Sequence, residues 1–190
     1  MIPILLASSS QRRKQLLNLI GIPVDRYVSP EIDETPLKNE LPRHLALRLA
    51  NNKADAVMAE YPEHIIIAAD SVVACGRRVL DKAQTNEEVR RYLQQLSGRK
   101  HTVYSALAMR HPSGKRSLKL VATKVTFKRL TPEEMESYVQ TGEGIGKAGG
   151  YAIQGGASKY IKGIQGSYHA VMGLPVHDVY QVLSGWGAED

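Results

Sequence analysis

The chain has 190 residues, 43% of them hydrophobic and 23% charged, which fits one packed domain over 1–190 and excludes wholesale disorder. A single cysteine, Cys75, excludes a disulfide scaffold and suits a reducing compartment, and no apolar run nears the roughly 20 residues of a membrane span. Lys and Arg outnumber Asp and Glu by 25 to 19, a net charge of +6 that favours anionic partners without choosing among nucleotides, nucleic acid and phosphorylated metabolites.

In chain order, Pro3–Ala7 is a short apolar strand. The stretch Met1–Ala7 is apolar but short, has no basic flank and leads into a cationic segment, unlike a signal peptide, so the expected location is cytoplasmic. Ser8-Ser9-Ser10 reads as a turn with hydroxyls placed for capping, and Arg12–Ile20 as a helix with Leu16, Leu17, Leu19 and Ile20 on its apolar side and Gly21 as its stop. Pro23–Pro30 is expected to be strand, Glu31–Asn39 a polar loop and Pro42–Glu60 a long helix. His64–Ala69 is a buried strand, followed by a hairpin of Val72–Cys75 and Arg78–Leu80. Capping boxes at Thr85-Asn86-Glu87-Glu88 and Thr131-Pro132-Glu133-Glu134 open helices that run to about Leu96 and Gln140. Between them, His101–Arg110 and Leu118–Lys128 are strands joined at Pro112-Ser113-Gly114. Glycine-rich stretches follow at Gly142–Gly156 and from Gly166, with Tyr160–Ile164 between them and a last helix from Leu174-Pro175 to about Ser184. The alternation describes an α/β fold, with a mixed twisted sheet flanked by helices.

Four places carry chemistry. The first helical turn holds Arg12, Arg13 and Lys14 where the helix dipole prefers acids. With Ser8, Ser10 and free N–H groups this makes a phosphate cradle, or else a solvated basic start. Asp70 closes the apolar run Ile65–Ala69; a carboxylate there is paired or metal-bound, or caps a turn. Lys53 interrupts the stripe Ala46, Leu49, Ala50, Ala56 and Val57; its ammonium either snorkels to solvent or reaches into a site. Glu31, Asp33 and Glu34 form an acidic loop that is either solvated or able to offer oxygens to Mg²⁺. Gly144-x-Gly146-x-x-Gly149 follows a helix rather than a strand, so it is no dinucleotide fingerprint. Cys75 reads as a buried small hydrophobe, and Tyr92 and Tyr138 as packing residues.

Taken in order, these residues resemble the Maf proteins, nucleoside triphosphate pyrophosphatases first named as septum-formation inhibitors. The resemblance runs from Leu5 to about Leu183. It is carried by Ala7-Ser8-x-Ser10-x-Arg12-Arg13, Asp33-Glu34, Lys53-Ala54, Ala69-Asp70-x-Val72-Val73, Asp81-Lys82, Leu96-Ser97-Gly98-x-x-His101-x-Val103, Lys147-Ala148-Gly149-x-Tyr151-x-Ile153-Gln154-Gly155 and Gly166-Ser167-Tyr168-x-x-Val171-x-Gly173-Leu174-Pro175. It implies two lobes around a central cleft, similar to the inosine-triphosphate pyrophosphatase fold. It also implies hydrolysis of a (d)NTP to the monophosphate and pyrophosphate with Mg²⁺ or Mn²⁺. On the same resemblance Asp70 is the proton acceptor, and Arg13, Glu34, Lys53 and Lys82 are catalytic and phosphate-handling groups; in the mechanism this suggests, Asp70 and Glu34 hold the metal. Arg12, Ser71 and Gln154 fall on positions tied to base selection, and the Gly-Tyr-x-Ile-Gln-Gly pattern is similar to the dTTP/UTP subgroup. Gln11, Ser71 and Asp81-Lys82-Ala83 depart from the usual Pro, Thr and Gly-Lys-Pro, which bears on base preference.

The expected partner is a nucleoside triphosphate, with no specific nucleic acid and no membrane; a homodimer stays open. Three rival readings remain: a basic nucleic-acid-binding protein, which needs no Asp70; a nucleotide-binding regulator of cell division without turnover; and a pyrophosphatase for other or modified nucleotides.

Overall fold

A computed structural model describes residues 2–187. The elements in order are β1 (Ile4–Leu6), α1 (Gln11–Leu19), β2 (Arg26–Tyr27), α2 (Pro42–Glu60), β3 (Ile65–Cys75), β4 (Arg78–Leu80), α3 (Asn86–Leu96), β5 (Lys100–Arg110), β6 (Arg116–Phe127), α4 (Pro132–Gln140), a 3₁₀ turn at Gly156–Tyr160, β7 (Ile161–Gln165), α5 (Tyr168–Met172) and α6 (Val176–Trp186). Among the described residues one mixed sheet runs β2–β1–β3–β5–β6–β7, with β4 attached to β3. β1 is parallel to β2 and β3, and the remaining pairings are antiparallel.

The sheet forks at β3. One edge of this strand is covered by β5 from Ile66 to Ala74. The other edge pairs β1 through Ile65–Ile67 and β4 through Val73–Cys75. Among the described residues no strand lies against residues 68–72 on that edge, and Asp70 stands in the gap.

Side chains alternate along a strand, so Ile66, Ala68, Asp70 and Val72 share one face of β3. The apolar members of that set pack on Leu45, Ala46, Leu49, Ala50, Ala54 and Val57 of α2. Ile65, Ile67 and Ala69 face the other way, against Leu16 and Leu17 of α1 and Val179, Val182 and Leu183 of α6. Beyond the fork a further core joins Val73, Leu80, Val103 and Phe127 to α3 and α4. The two lobes are these two ends of one sheet, and the cleft is the fork between them.

Several expected elements differ from the observed ones. Asp70 and Ser71 do not end a strand: β3 continues through both, because β5 pairs with them at Ala106 and Ser105. The strand expected over Pro23–Pro30 shrinks to Arg26–Tyr27, whose side chains are both exposed, because β1 offers it a partner only at Leu5 and Leu6. Leu19 does not join the apolar side of α1 but stands 67% exposed, since a short helix on a sheet buries a narrow stripe, here Leu16 and Leu17. The stripe of α2 uses Leu45 and Ala54 in place of Ala56. Ser10 is the N-cap of α1 but its hydroxyl makes no capping bond. Thr131 and Glu134 form a complete capping box, whereas Thr85 caps α3 while Glu88 accepts from the N–H of Gln84 instead. The second glycine-rich stretch contains an unexpected helix, α5, capped by Ser167. Cys75 is half-buried against the α3–α4 core rather than enclosed in it.

Ile67 is fully buried in the middle of the sheet before the fork. Ile67→Ala is expected to lower unfolding stability by about 2–5 kcal/mol, read from urea denaturation midpoints.

Candidate active site

Lys53 occupies a core position of α2, one turn from Leu49 and one from Val57, and is 9% exposed. An ammonium placed there is costly unless paired. Its Nζ donates to Asp70 Oδ1 at 2.6 Å and lies 2.7 Å from Glu34 Oε1. It therefore does not snorkel: it turns inward, into the fork. Asp70 is likewise 8% exposed, which excludes the turn-capping reading. Burial alone would raise the Glu34 carboxyl. Contact with Lys53 and the charges of Lys82 and Arg13 outweigh it, and the group is held below its ordinary value.

The acidic loop divides. Glu34 reaches the fork, while Asp33 Oδ1 accepts the N–H of Thr35 at 2.9 Å and Glu31 stays exposed. Of the three carboxylates that could offer oxygens to Mg²⁺, only Glu34 lines the cleft, and the Asp33 side chain is held in its own turn.

α1 supplies the next cation. Arg13 Nε donates to the carbonyl of Gly173 at 2.8 Å and Nη1 to Ser8 Oγ at 3.2 Å. Burial lowers its pKa, and Arg12 beside it adds to this, against the opposing charges of Asp70 and Glu34. Burial also lowers Arg12. The serines serve the turn differently from simple caps: Ser8 Oγ accepts the N–H of Ser10 as well as Arg13.

Lys82 and Lys147 come from two segments that pair across the second lobe. Lys82 bridges Ala148, Ala83 N–H donates to the Lys147 carbonyl, and Gly146 N–H donates to the Ala83 carbonyl. Gly149 is required in this pairing: its φ is +71° and a Cβ there would lie 2.9 Å from Val73 Cγ1. The glycine-rich stretch is therefore neither a dinucleotide loop nor filler, but the mount for Lys147.

All these groups line one cleft of about 570 Å³, a size suited to a small ligand. Arg12, Arg13, Lys53, Lys82 and Lys147 face Asp70 and Glu34 across it. Ser8, Ser10, Ser71 and Gln154 add polar groups, and Val73, Val103, Tyr151 and Ile153 form an apolar wall. Of the candidates named from sequence, Ser8, Ser10, Arg12, Arg13, Glu34, Lys53, Asp70, Ser71, Lys82 and Gln154 lie in this cleft, whereas Lys14, Glu31 and Asp33 do not. Reasoning from sequence gave no role to Lys147 or Tyr151; the signal for Lys147 was a lone cation amid glycines at 144–150.

The donor set fits a magnesium-type ion. Such an ion takes one or two protein carboxylates and leaves its other positions to water and phosphate. Asp70 and Glu34 each offer a second oxygen that takes no protein hydrogen bond among the described residues. No cluster of three or more His, Cys, Asp or Glu forms among those residues.

A family model described as Maf-like protein matches residues 3–186. The chain belongs to the Maf family. Curated relatives include the dTTP/UTP pyrophosphatase of Caulobacter vibrioides, 48% identical with 97% of this chain and 95% of that protein covered. The dTTP/UTP pyrophosphatase of Chelativorans sp. is 47% identical, covering 97% of this chain and 91% of that one. The nucleoside triphosphate pyrophosphatase of Anaplasma marginale is 45% identical, covering 96% and 93%. Among solved structures, the nucleoside-triphosphatase / dITP/XTP pyrophosphatase of Mycobacterium abscessus aligns over 98% of this chain and 95% of that one, with 18% identity and a TM-score of 0.45.

Behind the apolar wall of this Maf cleft, His101 Nε2 and the Tyr151 hydroxyl are 2.7 Å apart. His101 is 2% exposed and its Nδ1 has no partner. Burial lowers its pKa to about 4, so the ring is neutral near pH 7, and burial raises the Tyr151 hydroxyl. From about pH 6.5, the ordinary histidine value, down to about pH 4, the unfolded chain takes up a proton that the folded protein refuses. Stability therefore falls across that window, by about 3 kcal/mol in all, and the loss stops below it. His101→Gln is expected to remove this slope, as measured by urea midpoints at several pH values between 7 and 4.

Proposed function

We propose that this chain is a nucleoside triphosphate pyrophosphatase that converts (d)NTP to (d)NMP and pyrophosphate, with dTTP and UTP preferred. The observation that carries the reading is the buried Lys53 ammonium held between Asp70 and Glu34 in a cleft otherwise rich in cations. The names of the relatives support the reaction class and the base preference.

A triphosphate brings about four negative charges, and cleavage moves charge onto the bridging oxygen. Arg13, Lys53 and Lys82 lie where they can take up that charge, which is the main task of such a site. Lys53 grips Asp70 through Oδ1 and fixes the carboxylate, which orients the attacking water and accepts its proton. The water oxygen attacks the α-phosphorus, the α–β bridging bond breaks, and pyrophosphate leaves. Asp70 and Glu34 would hold a divalent cation, Mg²⁺ or Mn²⁺, which when bound neutralises phosphate charge and polarises its oxygens. The apolar wall with Tyr151 suits a base, and Gln154, Ser71 and Arg12 line the same cleft. Ser71 keeps a hydroxyl, 3.5 Å from that of Ser105, where the family usually has Thr.

A panel of nucleoside triphosphates with Mg²⁺ or Mn²⁺ tests this, scoring monophosphate and pyrophosphate separately. The expected result is equimolar release, fastest with dTTP and UTP. Orthophosphate as the primary product would overturn the reaction class. Asp70→Asn is expected to keep the fold, by circular dichroism and melting, while turnover drops at least about a hundredfold. Lys53→Ala should impair triphosphate handling more than stability; unchanged kinetics with a large fall in melting temperature would make Lys53 structural only.

A further inference from the structure

Glu34 reaches the cleft on a segment, 28–41, that has no regular structure apart from a turn at 38–39. Its position needs an external anchor, and the hydrogen bonds around it lead to one side chain of α2. Arg48 Nη2 donates to the carbonyl of Thr35, the residue after Glu34, at 3.0 Å. Arg48 Nε and Nη2 also grip Glu40 as a fork, at 2.7 and 2.8 Å. Glu40 in turn accepts the N–H of Leu37 at 3.0 Å, and Asp33 accepts that of Thr35 at 2.9 Å. The backbone just past Glu34 is thus tied from both its N–H and C=O sides. The pair is well covered, with side chains 23% and 8% exposed for Arg48 and Glu40. The Arg48 hydrogen bonds lower the Glu40 carboxyl to about 2, so the clamp stays ionised down to acid pH.

Arg48 and Lys53 lie on the same helix and hold adjacent points of the same loop: one grips the backbone at Thr35, the other the Glu34 carboxylate. A guanidinium suits the first task because its planar fork can serve a carboxylate and a carbonyl at once, which an ammonium on a flexible stem does not.

We propose that Arg48, closed by Glu40, is a positioning residue that sets the Glu34 carboxylate against Lys53 and Asp70 for pyrophosphate release. This rests on the reading of Glu34 as part of the catalytic machinery. Arg48→Ala and Arg48→Lys are compared with the unaltered protein, each alone and combined with Glu34→Gln, below the lowest melting temperature of the set. Each Arg48 variant alone should lower kcat for dTTP about tenfold with little change in KM, as loss of an outer-shell partner does. On the Glu34→Gln background the same changes should alter kcat by less than about twofold, since groups acting through one another are not additive. Trypsin should cleave after Lys38, inside the loop, faster in both Arg48 variants. An undiminished loss on the Glu34→Gln background, full activity in Arg48→Lys, or unchanged trypsin cleavage would each overturn the proposal. Absence of pyrophosphate release by the unaltered protein would instead remove the assigned function, and the trypsin comparison would still decide whether Arg48 holds the loop.

Discussion

The structure turns on a single ammonium group shared by two carboxylates inside a helix–sheet interface. Asp70 belongs to the sheet, Lys53 to α2 and Glu34 to a loop, and the three meet because each solves a problem created by another. Asp70 on the helix-facing side of β3 requires a cation. Lys53 in the apolar stripe of α2 requires an anion. Glu34, brought beside Asp70, would be repelled by it without the ammonium between them. Taking out the cation leaves two negative groups side by side in a partly dehydrated place, so the triad stands or falls as a unit.

The fork in the sheet explains why this unit is accessible at all. Had a strand continued along residues 68–72 of β3, Asp70 would have been sealed between neighbours as an ordinary buried ion pair. Because β1 stops opposite Ile67 and β4 ends opposite Val73, the edge lies open there. Cations from α1, from the segment after β4 and from the glycine-rich loop converge on the opening. The parallel half supplies Arg12, Arg13 and Lys53, and the antiparallel half supplies Lys82 and Lys147. Neither half holds the whole set.

Much of this was legible in the residue order. The bounds of α2 follow from Pro42 and from the apolar spacing, and the anomaly of a lysine within that stripe pointed to the site. The second capping box places α4 to the residue. Elsewhere local pattern misled. Asp70 resembles a strand terminator because a charge follows five apolar residues, yet pairing with β5 carries the strand past it. The stretch 23–30 has β-forming residues but little edge to pair with. Leu19 fits helical spacing, yet a nine-residue helix lying on a sheet needs few contacts. The loop ties of Glu34 and the mounting of Lys147 depend on contacts distant in sequence, with nothing periodic to reveal them. The order of motifs along the chain located the family, but only the folded geometry brought its scattered groups together.

β3 and β5 run unbroken from one lobe into the other, each eleven residues long. The two halves consequently share a stiff common floor with no hinge at its centre. The two banks of the cleft, the clamped segment at 28–41 and the glycine-rich turn at 144–150 pinned to residues 80–83, therefore take their spacing from strands common to both lobes.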